Sequence, residues 1–127
     1  MDGQRLQALA DQYASRLPGT TVEHRVHPNW ETYKVAGKVF MLMTDLPGHP
    51  VVIVKADPDD AVALRRQHPG ITVGYHMDKK HWITAAGSPE LDDSLVEELV
   101  TGSYDLVVDK LPRAERPTRP EPGPGEA

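Results

Sequence analysis

Four turn dipeptides, Pro18-Gly19, Ala36-Gly37, Pro47-Gly48 and Pro69-Gly70, divide the chain up to residue 70 into segments too short for long helices. What lies between them decides the class. Leu6, Leu9, Ala10, Tyr13 and Leu17 recur at helical spacing, and Pro18-Gly19 stops that helix. Thr20 to Val26 is rich in β-branched residues and reads as a first strand. Thr32 to Val35 and Lys38 to Met43 flank Ala36-Gly37, a tight hairpin signal. Leu46-Pro47-Gly48-His49-Pro50 is a second turn, and Val51 to Lys55 is an apolar strand. These segments form an antiparallel meander.

Asp57-Pro58-Asp59-Asp60 opens a middle helix. Asp57 can cap its free N–H groups, Pro58 suits the first helical position and the acids complement the helix dipole. Pro69-Gly70 ends it. Ile71 to Val73 is a short extended piece, and His81 to Ala85 a further strand. Leu91, Leu95, Val96, Leu99 and Val100 mark a C-terminal helix that Gly102 is expected to break, with Tyr104, Val107, Val108 and Leu111 on its second part. The fold class is therefore α+β: an antiparallel sheet of about five strands, an N-terminal helix, a middle helix and a broken C-terminal helix. Beyond Pro112 come four prolines and no large apolar residue, so 1–112 is expected to be one domain and 113–127 a disordered tail.

Composition excludes several classes. With 127 residues the chain suits one modest core. No apolar run approaches the ~20 residues of a membrane span, and the polar N-terminus enters a helix pattern, unlike a signal peptide. The absence of cysteine excludes disulfides and thiolate metal sites. A cytoplasmic location is expected. The net charge of −5 argues mildly against broad nucleic-acid affinity, but the charge is segregated. Glu90 to Asp109 holds seven acids and no base, whereas Arg65 to Trp82 holds four Lys/Arg, three His and one Asp.

The densest chemistry lies in that basic stretch, at Gly74-Tyr75-His76-Met77-Asp78-Lys79-Lys80-His81-Trp82-Ile83-Thr84. Tyr75 and Trp82 can stack on a base or a planar ligand, or Trp82 can be a core strand residue with its N–H bonded locally. Lys79 and Lys80 can contact phosphate or form a solvated turn. His76 and His81, five apart, face opposite ways on a strand and lack a third ligand, as do His24 and His27, so no metal site is expected. Trp30 suits the end of a core. Lys34 and Lys38 flank the hairpin turn, and Lys55 is expected to pair with Asp57, Asp59 or Asp60. No Gly-x-Ser-x-Gly elbow or Gly-x-x-x-x-Gly-Lys loop occurs, and nothing orients a base against a nucleophile.

Several blocks together resemble the MmcQ/YjbR family. They are Trp30 with Tyr33-Lys34-Val35-Ala36-Gly37-Lys38-Val39-Phe40, then Lys55-Ala56-Asp57-Pro58, the run Gly74 to Trp82, Ser103-Tyr104-Asp105-Leu106-Val107 and Lys110-Leu111-Pro112. The resemblance spans most of residues 3–112. It implies a small α+β domain similar to a double-wing DNA-binding module, a functional suggestion that rests on fold alone. Asp78 stands where such proteins often have Asn, and it weakens the positive field of Lys79 and Lys80.

The expectation is a non-enzymatic protein without cofactor. In the first reading it binds DNA: Lys34, Lys38, Lys79 and Lys80 touch phosphates, while Tyr75, His76, His81 and Trp82 frame the surface. In the alternative, the Tyr75–Trp82 cluster binds a small anionic or aromatic ligand or a protein partner. The direction of the rings discriminates. Rings on a convex basic ridge favour nucleic acid, rings lining a cavity favour a ligand, and buried rings leave only the lysines.

Overall fold

The computed structural model describes residues 1–24 and 29–118. The elements run α1 (Gly3–Arg16), β1 (Thr20–His24), β2 (Trp30–Val35), β3 (Lys38–Thr44), β4 (Val51–Lys55), α2 (Pro58–Gln67), β5 (Ile71–Val73), β6 (Trp82–Ala86) and α3 (Asp93–Asp109), with a 3₁₀ turn at Arg113–Glu115. The α+β class stands as read. Val26 of the expected first strand, His27 and residues 119–127 of the tail lie outside the described residues.

Each helix starts where an aspartate can cap it. Asp2 accepts from the Arg5 amide, Asp57 from Asp59 and Asp92 from Leu95, at 2.7, 3.0 and 2.8 Å. Ala36 and Gly37 both have positive φ, 49° and 77°, the backbone of a two-residue hairpin turn.

The sheet has six strands in the order β1-β2-β3-β4-β6-β5, all antiparallel, so the short Ile71–Val73 segment adds one strand to the expected count. Helix α2 carries the chain from β4 past β6 to the outer edge.

One face of the sheet packs under α1 and α3. Tyr33, Val35, Met41, Met43, Val52, Val54, Ile83 and Ala85 bury there against Leu6, Leu9, Ala10, Val96, Val100 and Tyr104. Tyr33 donates its phenol to Asp11 on α1 at 2.5 Å, and burial, then the Asp11 carboxylate, push that phenol well above the ordinary tyrosine range. Tyr104 on α3 sets its ring edge-on to Phe40 and donates to the Pro18 carbonyl. The opposite face carries a smaller core of Val51, Ile53 and Trp82. The segment 74–81 folds over it and contributes Tyr75 and Met77, while Trp30 and Leu42 close it from β2 and β3. With helices on one face and this segment on the other, Val51 to Val54 are all buried.

The expected break at Gly102 does not occur. Helix α3 is continuous because Val96, Val100, Ser103, Tyr104 and Val107 form one buried stripe across it. A single glycine costs only ~1 kcal/mol of helix propensity, less than that stripe gains by burial.

Register slips at a bulge in β3, where Tyr33 faces Met41 and Lys34 faces Val39, leaving Phe40 as the extra residue. Beyond that point the β3–β4 ladder ends at Met41 and Val54. The fully buried Ser103 of α3 fills the gap: its Oγ donates to the Phe40 carbonyl at 2.5 Å and accepts from the Lys55 amide at 2.9 Å. Ser103→Ala should therefore lower unfolding free energy by ~1–3 kcal/mol, the cost of stranded buried backbone groups. Gly102→Ala, where an added Cβ meets nothing within 4 Å, should raise it by ~0.5–1 kcal/mol. Urea unfolding of the two neighbouring variants checks both signs.

Candidate anion-binding surface

The sequence-marked residues do not form one site. Lys34 leaves the set: its Nζ sits 3.2 Å from the Glu23 carboxylate. The register causes this, since Thr21 faces Lys34 and Glu23 faces Thr32, placing Lys34 and Glu23 diagonally on one face. Trp82 leaves it as a platform, being 6 % exposed and packed on Val51 and Ile53. His81 is exposed and lies 3.0 Å from Asp78.

Asp78 organises the turn that follows the aromatics. Its carboxylate accepts from the Lys80 amide at 2.7 Å and meets His81 Nδ1 with its other oxygen. The Lys80 amide first, and His81 second, hold this carboxyl below the usual carboxylate range. Lys79 and Lys80 are exposed and have no ion pair among the described residues.

Lys38 belongs to a different group. It lines a hollow of ≈ 360 Å³ with Lys55, Lys110, Trp82, Val107 and Leu111, and no carboxylate contributes to this wall. The hairpin turn places Lys38, the end of β4 places Lys55, and the C-cap of α3 places Lys110. A neighbouring hollow of ≈ 180 Å³ shares Lys55 and Lys110 and is also lined by His81 and Asp57.

Lys55 does not pair with Asp57, Asp59 or Asp60. Its ammonium lies over the Trp82 ring, 5.6 Å from the centroid, because Lys55 and Trp82 are register partners on one face. Asp57 is instead the α2 cap. Desolvation, and after it the Lys110 charge, lower the Lys55 amine below its ordinary value. The unfolded chain binds this proton more tightly. Lys55 therefore opposes folding at neutral pH, and the opposition fades as pH rises through the folded value.

Lys110 is not consumed by the helix end. Arg116 donates to the carbonyls of Asp109 and Leu111 at 2.9 and 3.0 Å, so a guanidinium from beyond the 3₁₀ turn satisfies the negative end of α3. Three ammoniums thus border one hollow with no carboxylate in its wall and no ion pair to any of them among the described residues, an arrangement an entering anion would relieve.

The second group surrounds Tyr75. Its ring stacks on Trp30 with centroids 6.2 Å apart and 19° between planes, and His76 meets it edge-on at 4.3 Å. Tyr75 and His76 line a cleft of ≈ 510 Å³ with His49, Thr72, Lys79 and Thr84. The rings therefore answer the question of direction separately: Trp82 is buried, while Tyr75 faces a cleft with Trp30 behind it.

Lys55, Lys110, Trp30 and His49 are not marked as contacts by the sequence. A lysine closing the run Val51–Val54, and a lone base after seven acids, are the available signals. Lys110→Met should raise the Lys55 side-chain pKa, but short of the free-lysine value, because desolvation is the larger cause and remains. A ¹³Cε titration of Lys55 in both proteins reads this directly. An unchanged titration would mean that the two ammoniums do not interact.

The YjbR family model matches residues 15–106. The chain is 36% identical over 123 residues to YbdF of Escherichia coli O157:H7, covering 97% of this chain and 100% of that relative. It is 34% identical to YjbR of Escherichia coli K12, over 83% of this chain and 89% of that one. The crystal structure of Deinococcus radiodurans protein DR2400 superposes with a TM-score of 0.76 at 29% identity, covering 84% of this chain and 81% of that chain. A Pseudomonas syringae protein gives 0.66 at 25% identity, over 84% and 98%. With most of its length matched by the family model and a relative of similar sequence aligned end to end, the chain belongs to the YjbR family.

Proposed function

We propose that this protein is a non-enzymatic, cytoplasmic binding module whose ligand carries phosphate, and that the phosphates are those of a DNA backbone. The observation that carries this reading is the convergence of Lys38, Lys55 and Lys110 on one hollow that no carboxylate lines. The alternative source of the same chemistry is a small phosphate ester.

The lysines come from a hairpin tip, a strand end and a helix end, so they span a surface and suit phosphates spaced along a strand. In the double-wing reading, β2–β3 is one wing and Lys38 stands at its tip. Arg116 shields the α3 carbonyls that would otherwise repel an anion. Trp82 supplies no exposed ring, so contact is to the backbone and carries little base discrimination. The net charge of −5 makes such binding weak and strongly salt-dependent.

Titration of a short duplex at several salt concentrations provides the test. Three phosphate contacts give a log–log slope of about −2.7, and a Lys38→Met/Lys110→Met double variant should flatten it by about 1.8. Lys34→Met, which removes a lysine already paired with Glu23, should change the slope little. Inorganic phosphate separates the sources. If it alone shifts the Lys55 and Lys110 side-chain resonances while duplex adds no affinity, the ligand is a small ester. If neither probe perturbs these lysines at low salt, the phosphate reading is wrong.

A further inference from the structure

A second site stands apart from the lysine hollow, on the face of the sheet covered by residues 74–81. We propose that the cleft between the Pro47–His49 turn and the Tyr75–His76 corner binds a small planar aromatic anion, stacked on Tyr75 and held by Lys79 and the two imidazoles.

Charge selection is the first argument. In a chain with 19 acids, no carboxylate lines this cleft, whereas His49, His76 and Lys79 do. Two other clefts contrast with it: the one against α1 includes Glu31 and Asp45, and the one at the N-terminus includes Asp2. The Lys79 ammonium has no carboxylate partner among the described residues, because the adjacent Asp78 is turned to the Lys80 amide and His81.

Preorganisation is the second. The Tyr75 ring is held by stacking on Trp30 and by the His76 edge, and the Tyr75 amide donates to the Thr84 hydroxyl at 2.8 Å. Gly74 lies so close to β6 that an added Cβ would meet the Trp82 Cβ at 2.6 Å, which pins the start of the segment to the sheet. A ring fixed in this way offers a stacking surface at little further entropic cost.

Backbone conformation is the third. His76 has a φ of +59°, a left-handed value in a non-glycine residue. The strain is local, and it places the imidazole beside Tyr75 at the cleft. Val51 and Ala86 give the cleft an apolar floor, Thr72 and Thr84 give it hydroxyls, and its ≈ 510 Å³ accommodates a single ring system with an anionic group.

Chemical-shift mapping on the intact chain, with adenosine monophosphate and benzoate as probes and adenosine and benzamide as their neutral counterparts, tests the assignment. The charged probes should move the Trp30 indole N–H and the Tyr75, His76 and Thr84 amides, and bind at least fivefold tighter than the neutral ones. Tyr75→Leu should weaken them about tenfold, the loss of one stacked ring, while Tyr75→Phe keeps wild-type affinity and guards against misreading an unfolded variant. Lys79→Met should remove the preference for the charged probe. Lys55→Met/Lys110→Met should leave the benzoate shifts at Tyr75, His76 and Thr84 unchanged, which separates this cleft from the phosphate hollow. Shifts confined to Lys38, Lys55 and Lys110, equal binding of the neutral compounds, or no shift at millimolar probe would each overturn the assignment.

Discussion

One hydroxyl joins the helical layer to the part of the sheet that carries the lysines. A bulge at Phe40 and the end of the β3–β4 ladder leave a carbonyl and an amide facing inward, and Ser103 bonds both. A buried backbone group without a partner costs more than a typical hydrogen bond gains, so α3 is drawn to one height against the strands. That height has consequences at both ends of the contact. Lys55 is the residue whose amide Ser103 accepts from, and Lys110 caps the same helix two turns later. The relative placement of the two lysine backbones is thus tied to a neutral contact in the core. A serine flanked by an exposed glycine on one side and a buried tyrosine on the other suits this position. It is small enough to lie at the helix–sheet contact, and its hydroxyl both donates and accepts.

Both faces of the sheet are used, and they do different work. The helical face holds the larger core and fixes the fold. Among the described residues no helix packs on the other face, and its small core is completed by an irregular segment containing the densest aromatic and cationic residues in the chain. A segment of this kind, tied down at Gly74, at the Thr84 hydroxyl and at the Asp78 turn, is rigid without regular structure. Trp82 acts as the divider: it packs toward Tyr75 and Met77 in this core and also lies under the Lys55 ammonium. Its burial, which removes it as a stacking platform, allows two sites of different character to share one strand.

Local chemistry is legible in the sequence, and register is not. Asp57-Pro58 announces a helix start, Ala36-Gly37 a hairpin and Pro69-Gly70 a stop, because capping and positive φ are decided by a few adjacent atoms. Gly102 misleads for the same reason: its propensity is local, whereas the stripe that overrides it is tertiary. Lys34 reads as a contact because its neutralisation by Glu23 follows from pairing β1 with β2, which a linear pattern does not reveal. Residues from four of the blocks that carry the family resemblance, Lys38, Lys55, Trp82 and Lys110, border one hollow, a proximity that the linear sequence does not reveal.

An acidic chain can sustain two cationic sites only if its acids are engaged elsewhere, and here their placement accounts for that. Asp2, Asp57 and Asp92 cap helices, Asp11 accepts from Tyr33, Asp78 caps its own turn and Glu23 holds Lys34. Many of the rest line the exposed side of α3, which packs over the helical face and so lies across the sheet from the Tyr75 cleft. Solvent screens such charges within about 10 Å at ordinary ionic strength, a distance comparable to the thickness of one packed layer. The lysine hollow, at the end of α3, is less well insulated than the cleft. Arg116 and Lys110 at that helix end are therefore part of what makes an anion tolerable there, and the net charge of −5 understates how positive each site is at close range.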